Sequence, residues 1–238
     1  MSDAVKPRRP YDAHGRRRRA DQARERTLEA ARRLFLDRGY AGTTIAAIAA
    51  AASVSPDTIY KSFGGKPGLV RAIWLRSLEG VGPVPAEQRS DAIRAAEQDA
   101  RQLVRAWGTL VTEVSARVAP IVLLIRAAAE SDVRMAELLA EVDEQRLRRM
   151  ETNARTLFER HDLRPELTLE DARDIMWTYT SPDVYELLVI RRQWSAERFG
   201  AFVGEQLTAA LLRIDGKRDE STSPGDPHDP VHRRDDEA

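Results

Sequence analysis

Hydrophobic residues recur at helical spacing along most of the chain, and this periodicity constrains the fold more than any other feature. Leu28, Ala31, Leu34 and Phe35 follow one another at intervals of one to three residues, as they do on the buried face of an amphipathic helix. No run of alternating β-branched residues predicts a strand. The sequence therefore predicts an all-α fold of about nine to ten helices.

Capping and turn residues divide this pattern into separate helices. The predicted N-terminal helices cover 21–38, a second segment from Thr43 or Thr44, 55–63, and a segment from Pro67. The segment EGVGPVP, residues 79–85, predicts a domain boundary because it contains two glycines and two prolines. The helices predicted beyond it cover 87–118, 120–130, 132–160, 168–180, 183–192 and 195–213.

Charge is distributed unevenly, although the formal net charge of the chain is zero. Residues 1–80 carry 16 Lys and Arg against 8 Asp and Glu, whereas residues 81–238 carry 22 against 30. The four domains predicted from charge and composition are a flexible basic N-terminal arm at 1–20, a helical domain at 21–80, a larger helical domain at 81–215 and a disordered tail at 216–238. The basic first third is the part suited to contact a polyanion.

Composition argues against an enzyme. Cysteine is absent, which excludes disulfides, thiolate metal sites and a cysteine nucleophile. Three of the four histidines lie in the predicted flexible ends, so no catalytic or metal cluster is expected. The GGK at 64–66 is not a phosphate loop, because Tyr60 and Pro67 occupy positions that such a loop gives to Gly and Ser/Thr. We therefore predict no enzymatic activity, no metal and no cofactor.

The chain is also expected to be a soluble cytoplasmic protein without a membrane partner. Its polar, arginine-rich N-terminus lacks the apolar segment of a signal peptide. No uninterrupted apolar run approaches the roughly 18 residues that span a bilayer.

Three predicted helices within about 45 residues have the proportions of a helix-turn-helix. The second and third are short and are joined by ASVS at 52–55. The second is rich in alanine, which lets two crossing helices approach closely. Ile48, Val54, Ile59 and Phe63 can then form a small core. The same spacing also suits an ordinary helical hairpin buried in a larger α-protein.

Polar residues on the third helix favour DNA binding over that alternative. Thr58, Lys61 and Ser62 lie off the face of Ile59 and Phe63, where a helix in the major groove presents side chains to base edges. The candidates for phosphate contacts are Thr44, Tyr60 and Lys66.

Asp57, in the first turn of the same helix, argues against DNA binding. It suits the helix dipole but would repel a phosphate. We interpret it as a helix-starting residue or as an acceptor from a cytosine amino group.

The stretch AARRLFLDRGYAGTTIAAIAAAASVSPDTIYKSFGGKPGLV, residues 30–70, resembles the tetracycline-repressor (TetR) family of bacterial transcriptional regulators. The resemblance lies in Phe-x-x-x-Gly-Tyr, Thr-Thr, Ile-Ala, Ala-x-Val-Ser, Ile-Tyr, Phe and Lys at the family's spacing. Several independent positions agree, which makes it specific. Beyond these residues only the helix pattern and a stretch such as VYELLVIRRQWSAERF, residues 184–199, resemble the family.

The resemblance implies a homodimer that binds a palindromic operator on double-stranded DNA, most commonly as a repressor. Its C-terminal domain would dimerise the chain and bind a small-molecule effector that releases the operator. Carried over by position, Thr44 and Tyr60 match phosphate-contacting residues and Lys66 matches the lysine after the recognition helix at 55–63. The residues that match the groove-facing surface are Ser55, Pro56, Thr58, Lys61 and Ser62.

Two residues depart from the family pattern. Ser53 stands where a turn glycine is usual, which would strain a left-handed turn by about 1 kcal/mol. Asp57 stands where the family often has glycine, so the base contacts do not follow from the resemblance alone.

The candidates for an effector pocket are large or charged residues of the C-terminal domain: Trp107, Arg126, Phe158 and Trp177. Aromatic residues at helical spacing are more often core than pocket, and Arg126 is either a buried anchor or a residue that reaches the surface. Gly108 is expected to help to enclose a cavity.

For dimerisation the apolar stripes of the last two long helices are favoured. Gly200 and Gly204 would allow close approach to a second copy.

A sequence-nonspecific, architectural DNA-binding protein without effector control is the alternative, since positive charge alone would serve it. The acidic charge of residues 81–238 argues against this alternative, because DNA would repel that domain.

Overall fold

A computed structural model of the protein describes residues 13–79 and 84–213. Ten α-helices lie within these residues. In chain order they are α1 (Ala13–Gly42), α2 (Ile45–Ala52), α3 (Pro56–Phe63), α4 (Lys66–Glu79), α5 (Ala86–Ala96), α6 (Ala100–Ala129), α7 (Val133–Glu159), α8 (Leu169–Tyr179), α9 (Pro182–Tyr185) and α10 (Ala196–Leu211). A π-helical segment, Glu186–Arg191, continues α9. The only β pairing in the described part of the chain is a single bridge between Leu163 and Leu212, so the all-α prediction is confirmed.

The first helix begins earlier than the sequence predicted. It starts at Ala13, inside the expected flexible arm, and Gly39, with φ of 72°, kinks its last turn. Arginine and alanine are good helix formers, which accounts for the additional turns. Residues 1–12, 80–83 and 214–238, which include most of the predicted arm, the predicted tail and the centre of the predicted domain boundary, lie outside the described residues.

Helix α6 passes through Pro120, where the sequence predicted a break between two helices. A proline inside a helix costs about 3 kcal/mol. The cost is offset by packing, because Ala119, Ile121 and Val122 beside it are each at most 2% exposed. The chain breaks earlier instead, before Asp99, whose Oδ1 accepts a hydrogen bond from the Gln102 amide at 2.8 Å and caps the new helix.

Two hydrophobic cores organise the molecule. The first joins α1–α4 to the C-terminal half of α6 and the N-terminal half of α7. The second joins the remainder of α6 and α7 to α8, α9 and α10. Helices α6 and α7 therefore run through both cores and connect the N-terminal helices to the rest of the chain.

Glycines set the contact between α6 and α10. A Cβ atom on Gly108 would lie 2.8 Å from the carbonyl oxygen of Gly200 and 2.9 Å from the Cα of Gly204. The two backbones can approach so closely because neither helix has a side chain there. The expectation that Gly200 and Gly204 face a second copy, and that Gly108 borders a cavity, is therefore wrong, since all three meet within one chain.

Among the described residues, α6 alone is long and apolar enough to cross a membrane, with a mean hydropathy of 1.6 over its most apolar window. The sequence analysis expected no apolar stretch of this length and missed α6. Length and composition are weak grounds for a membrane span, because core helices pass the same test. Here α6 packs against α4, α7 and α10.

Candidate nucleic-acid interface and internal pocket

Helices α2 and α3 form the predicted helix-turn-helix. The turn between them passes through Ser53, which adopts a left-handed conformation with φ of 55° and ψ of 47°. Behind the turn, Ile48 and Ile59 are fully buried, and they pack in the same core as Phe35 of α1. The inward side of α3 is thus held against a solid core.

The ends of α3 are fixed by local hydrogen bonds. Ser55 Oγ accepts from the Thr58 amide at 3.1 Å and caps the first turn. At the other end Gly64, with φ of 73°, donates its amide to the Tyr60 carbonyl at 2.8 Å. A helix of eight residues is marginal alone, so these caps help to keep its outward face in one conformation.

The outward face of α3 carries most of the predicted DNA-contacting residues. Those that are exposed on it are Ser55, Pro56, Thr58, Tyr60, Lys61 and Ser62. Tyr60 is 56% exposed, an unusual position for a tyrosine without a partner surface. Lys61 Nζ lies 2.7 Å from Asp57 Oδ2, a pairing that the sequence interpretation of Asp57 did not include.

Two predicted hydroxyl contacts are already engaged as helix caps. Thr44 Oγ1 accepts from the Ala47 amide at 3.1 Å, which leaves its own hydrogen free to donate. Ser55 Oγ and Thr58 Oγ1 lie 2.8 Å apart and share one hydrogen bond. Only one of these two hydroxyls therefore retains a hydrogen for another acceptor.

Lys66 differs from the other predicted DNA-contacting residues because it is half-buried. Its Nζ lies 4.2 Å above the centre of the Tyr40 ring, and burial lowers the pKa of this lysine. The Tyr40 hydroxyl in turn donates to Asp132 Oδ2 at 2.7 Å. Asp132 caps α7, so Lys66 belongs to a cluster that joins the N-terminal helices to the larger domain.

Arginines of α1 support the helix-turn-helix, which sequence reasoning missed. The guanidinium of Arg24 lies 4.5 Å from the centre of the Phe63 ring at the end of α3. Arg26 Nε donates to the Ala52 carbonyl at the end of α2, at 3.5 Å. Their place on the exposed side of a basic helix was visible in the sequence, but their partners depend on how α1 crosses the two short helices.

A pocket of about 490 Å³ lies where the two cores meet. It is bordered by residues of the first core, such as Trp74 and Val122, and of the second, such as Trp107 and Met176. Its volume falls in the range of small-molecule sites, about 300–1,000 Å³. Any molecule within it would touch both cores.

Of the four predicted pocket residues, Trp107 alone lines this cavity. Arg126 forms an ion pair with Asp183 and is partly exposed, which corrects its interpretation as a pocket residue. Phe158 is 48% exposed and does not line the cavity. Trp177 lies behind the lining, with the Arg146 guanidinium 4.1 Å from the centre of its ring.

Helix α7 supplies more of the pocket's polar residues than any other helix, and sequence reasoning missed them. Arg146, Arg149 and Asn153 follow one another at helical spacing along its lining side. Arg149 pairs with Glu87 and, at 2.6 Å, with Asp91. Arg146 Nη1 donates to the Trp177 carbonyl at 2.5 Å, and burial lowers the pKa of Arg146 to about 10.

Neither site resembles a metal centre. Within residues 13–79 and 84–213, no group of three or more His, Asp or Glu side chains is arranged to hold a metal ion.

Comparison with known proteins agrees with this architecture. A sequence model of the bacterial regulatory proteins of the tetR family matches residues 28–73, which include the second half of α1, all of α2 and α3, and most of α4. No curated protein matches the chain significantly in sequence.

Solved structures share the fold along most of the chain at low identity. The SmeT–triclosan complex has a TM-score of 0.65 at 21% identity and covers 89% of this chain and 99% of its own. The fatty acid degradation regulator FadR from Bacillus halodurans has a TM-score of 0.63 at 18% identity, with 77% and 96% covered. NalD, the secondary repressor of the MexAB-OprM multidrug efflux pump in Pseudomonas aeruginosa, has a TM-score of 0.62 at 19% identity, with 82% and 98% covered. Residues 28–73 therefore match the tetR family of bacterial regulatory proteins in sequence, and the chain as a whole is similar in fold to these solved regulators.

Proposed function

We propose that the protein is a cytoplasmic transcriptional repressor that binds a palindromic operator as a homodimer and is released when a small molecule enters the pocket. One observation carries the DNA-binding part: α3 presents an exposed polar face while Ile59 behind it is fully buried. No other element of the described chain covers the polar face of this short helix. Its outward residues are available to a partner.

The dimensions of α3 suit the DNA major groove. A helix with its side chains is about 10–12 Å across, which fits a groove about 12 Å wide. Lys61, Thr58 and Ser62 would meet base edges, whereas Thr44 and Tyr60 would donate to phosphates on either side. Asp57 would hold Lys61 in place until a guanine or a phosphate competes for its ammonium group.

Dimerisation would place two copies of α3 one turn of DNA apart, about 34 Å. Helices α8 and α10 remain the proposed interface. Their apolar stripes are buried mostly within one chain, but Ile175, Tyr179 and Phe202 retain partial exposure. A second copy would cover these residues.

Release would act through the helices that the two cores share. A ligand in the pocket touches α4, α6 and α7 at once, and the Asp132 cap of α7 is bonded to Tyr40 beside Lys66. A shift of α7 would therefore move Asp132 and, through Tyr40, the N-terminal helices that would face DNA. The ligand favours release only if it binds the DNA-free arrangement more tightly.

The decisive experiment compares palindromic duplexes, selected from a random pool by the full-length protein, with scrambled duplexes of equal length across a range of salt concentrations. We expect the selected duplexes to bind at least about a thousandfold more tightly at physiological salt, with two chains per duplex by sedimentation. Equal affinity for both duplexes would support the architectural alternative and contradict operator recognition.

A further inference from the structure

The partly buried charge of Arg146 has no ion-pair partner among the described residues. Its Nη1 donates to the Trp177 carbonyl and its guanidinium stacks on the Trp177 ring. Its Nε is occluded and has no hydrogen-bond partner. No carboxylate of the described residues forms an ion pair with it, although Asp143 and Asp183 lie near enough to favour its charged form.

The other charges around the cavity are already neutralised or exposed. Arg149 is paired with Glu87 and Asp91, and Asp183 is paired with Arg126. Glu79, at the end of α4, borders the cavity but is exposed to solvent. The cavity therefore holds one cation whose charge no ion pair balances.

The uncharged polar groups of the lining point to the same chemistry. Ser90 Oγ donates to Asn153 Oδ1 at 3.4 Å. This leaves the Asn153 amide nitrogen, like the Arg146 Nη2, as a donor without a partner among the described residues. Neither nitrogen is among the fully occluded side-chain atoms, so both can donate to an acceptor on a ligand that enters the cavity.

We propose that the pocket binds amphipathic anions: apolar, drug-sized or lipid-like molecules with one carboxylate, sulfonate or similar acid group, which Arg146 binds through its free Nη2. The apolar walls formed by Trp107, Val111, Val118 and Met150 would hold the body of the ligand. The planar guanidinium, already fixed by its stack on Trp177, suits a planar or tetrahedral oxyanion. This inference rests on the proposed function only in taking the pocket to be the effector site.

Cationic lipophiles are the competing class, since aromatic side chains attract cations. Arg146 opposes them, because a second positive charge would enter a space in which the first has no counter-ion. Neutral lipophiles would fill the walls but leave the donors unmatched. The three classes are therefore expected to bind in the order anion, neutral molecule, cation.

The test uses two fluorescent probes with one skeleton, 1-anilinonaphthalene-8-sulfonate and its uncharged parent N-phenyl-1-naphthylamine. Both are titrated against the full-length protein, with the four tryptophans as energy-transfer donors. We expect one saturable site per chain and at least about tenfold tighter binding of the sulfonate. Equal binding of the two probes, tighter binding of the uncharged one, or the lack of a saturable site for the sulfonate would overturn the proposal.

Substitutions on α7 assign the preference to one side chain. Arg146→Gln should remove the preference for the sulfonate and leave the affinity for the uncharged probe unchanged, which also shows that the pocket is intact. Arg148→Gln is the matched control, because Arg148 lies on the same helix, is 61% exposed in its side chain and pairs only with Glu144. If Arg146→Gln does not fold, Arg146→Lys keeps a cation and should retain part of the preference. An unaltered preference in a folded Arg146→Gln variant would contradict the assignment.

DNA release is measured separately, so that the two proposals can fail independently. If the sulfonate binds through Arg146 but does not weaken binding to the selected palindrome, the ligand class stands and effector-driven release fails. If the uncharged probe releases the palindrome while the sulfonate binds no better than it does, release stands and the anion proposal fails.

Discussion

The two candidate sites are built in opposite ways. The candidate DNA-binding face comes from one stretch of nine consecutive residues, 55–63, whose outward side is exposed over a closed core. The pocket draws on α4–α10 and lies between two cores. A groove-reading helix must keep one conformation, and local caps over a solid core provide it. A ligand-responsive cavity needs neighbouring elements that can move apart, and a junction between cores provides that.

The same contrast explains why the sites need a physical connection. The first core contains residues of α6 and α7 as well as α1–α4, so the N-terminal helices do not form an independent unit. The Tyr40–Asp132 bond and the stack of Lys66 on Tyr40 add a polar contact at that boundary. Substitutions on either side of the boundary should therefore have separate effects on the stability of the fold, on DNA recognition and on the transmission of ligand binding to the DNA-binding helices.

The largest effect is expected from Gly68→Ala in the first turn of α4. A Cβ atom there would lie 1.7 Å from the carbonyl oxygen of Phe63, the last residue of α3. Backbone must move to relieve such a clash, so we expect a loss of about 3 kcal/mol in the free energy of unfolding. Operator binding should fall with it, whereas any protein that remains folded should still bind the sulfonate probe. Urea unfolding and DNA titration measure the two effects.

Gly42→Ala is the matched control for that substitution. It introduces the same methyl group near the end of α1, where the nearest atom would be the Arg38 Cβ at an ordinary 3.5 Å. We expect the free energy of unfolding to change by less than about 0.5 kcal/mol. Equal stability of the Gly68→Ala and Gly42→Ala variants would contradict the tight packing of α4 against the end of α3.

A smaller effect distinguishes the two lysines of the DNA-binding domain. Lys61→Ala should cost about 1–3 kcal/mol of discrimination between the selected palindrome and single-base variants, because it removes a contact to a base edge. Lys66→Ala should weaken binding to all sequences similarly and lower the salt slope by at most about one unit. Because Lys66 is half-buried over Tyr40, we expect the salt slope to fall by less than one full unit.

Competition binding with a panel of duplexes across salt concentrations measures both quantities. A Lys61→Ala variant with unchanged sequence preference would contradict the assignment of the outward face of α3.

The conformation of the candidate DNA-binding face could be predicted from the sequence because its determinants are local. Ser55, Pro56 and Gly64 mark the ends of α3, and the spacing of Ile59 and Phe63 determines which side faces out. Pro120 misled because packing on both sides of it outweighs its intrinsic preference. Arg146 could not be identified as a pocket residue, since its unbalanced charge appears only once α7 packs beside Trp177. Features set by neighbouring residues can be predicted from a sequence, whereas a cavity between two cores cannot.

A hydroxyl deletion tests the connection between the sites. Tyr40→Phe removes the bond to Asp132 and should cost about 1 kcal/mol in the free energy of unfolding at pH 7. That bond holds the pKa of Asp132 below its usual value. Its contribution is therefore complete above the ordinary carboxyl pKa of about 4 and is lost as the pH falls through the lowered value. The difference between wild type and variant should accordingly shrink in acid.

Urea unfolding at pH 7 and at pH 3 measures this difference, and the release of the palindrome by ligand shows whether communication is weakened. Tyr185→Phe is the control, because Tyr185 is a buried residue of the second core whose hydroxyl forms no hydrogen bond with the described residues. An equal stability cost in both variants at both pH values would contradict a special role for the Tyr40–Asp132 bond.

The smallest effect, of opposite sign, is expected from Ser53→Gly in the turn before α3. Ser53 occupies the left-handed region, which costs a non-glycine residue about 1–2 kcal/mol. Glycine relieves this strain but gains freedom in the unfolded chain, so the net stabilisation should be about 0.5–1 kcal/mol. The Ser53 side chain is exposed and makes no hydrogen bond among the described residues, so nothing else is lost.

Ser53→Ala should leave the free energy of unfolding almost unchanged, since alanine bears the same strain. Because α3 is fixed by its own caps and core, operator affinity and probe binding should stay constant in both variants. A change in DNA affinity without a change in stability would mean that the turn, rather than the core behind it, sets the angle at which α3 meets DNA.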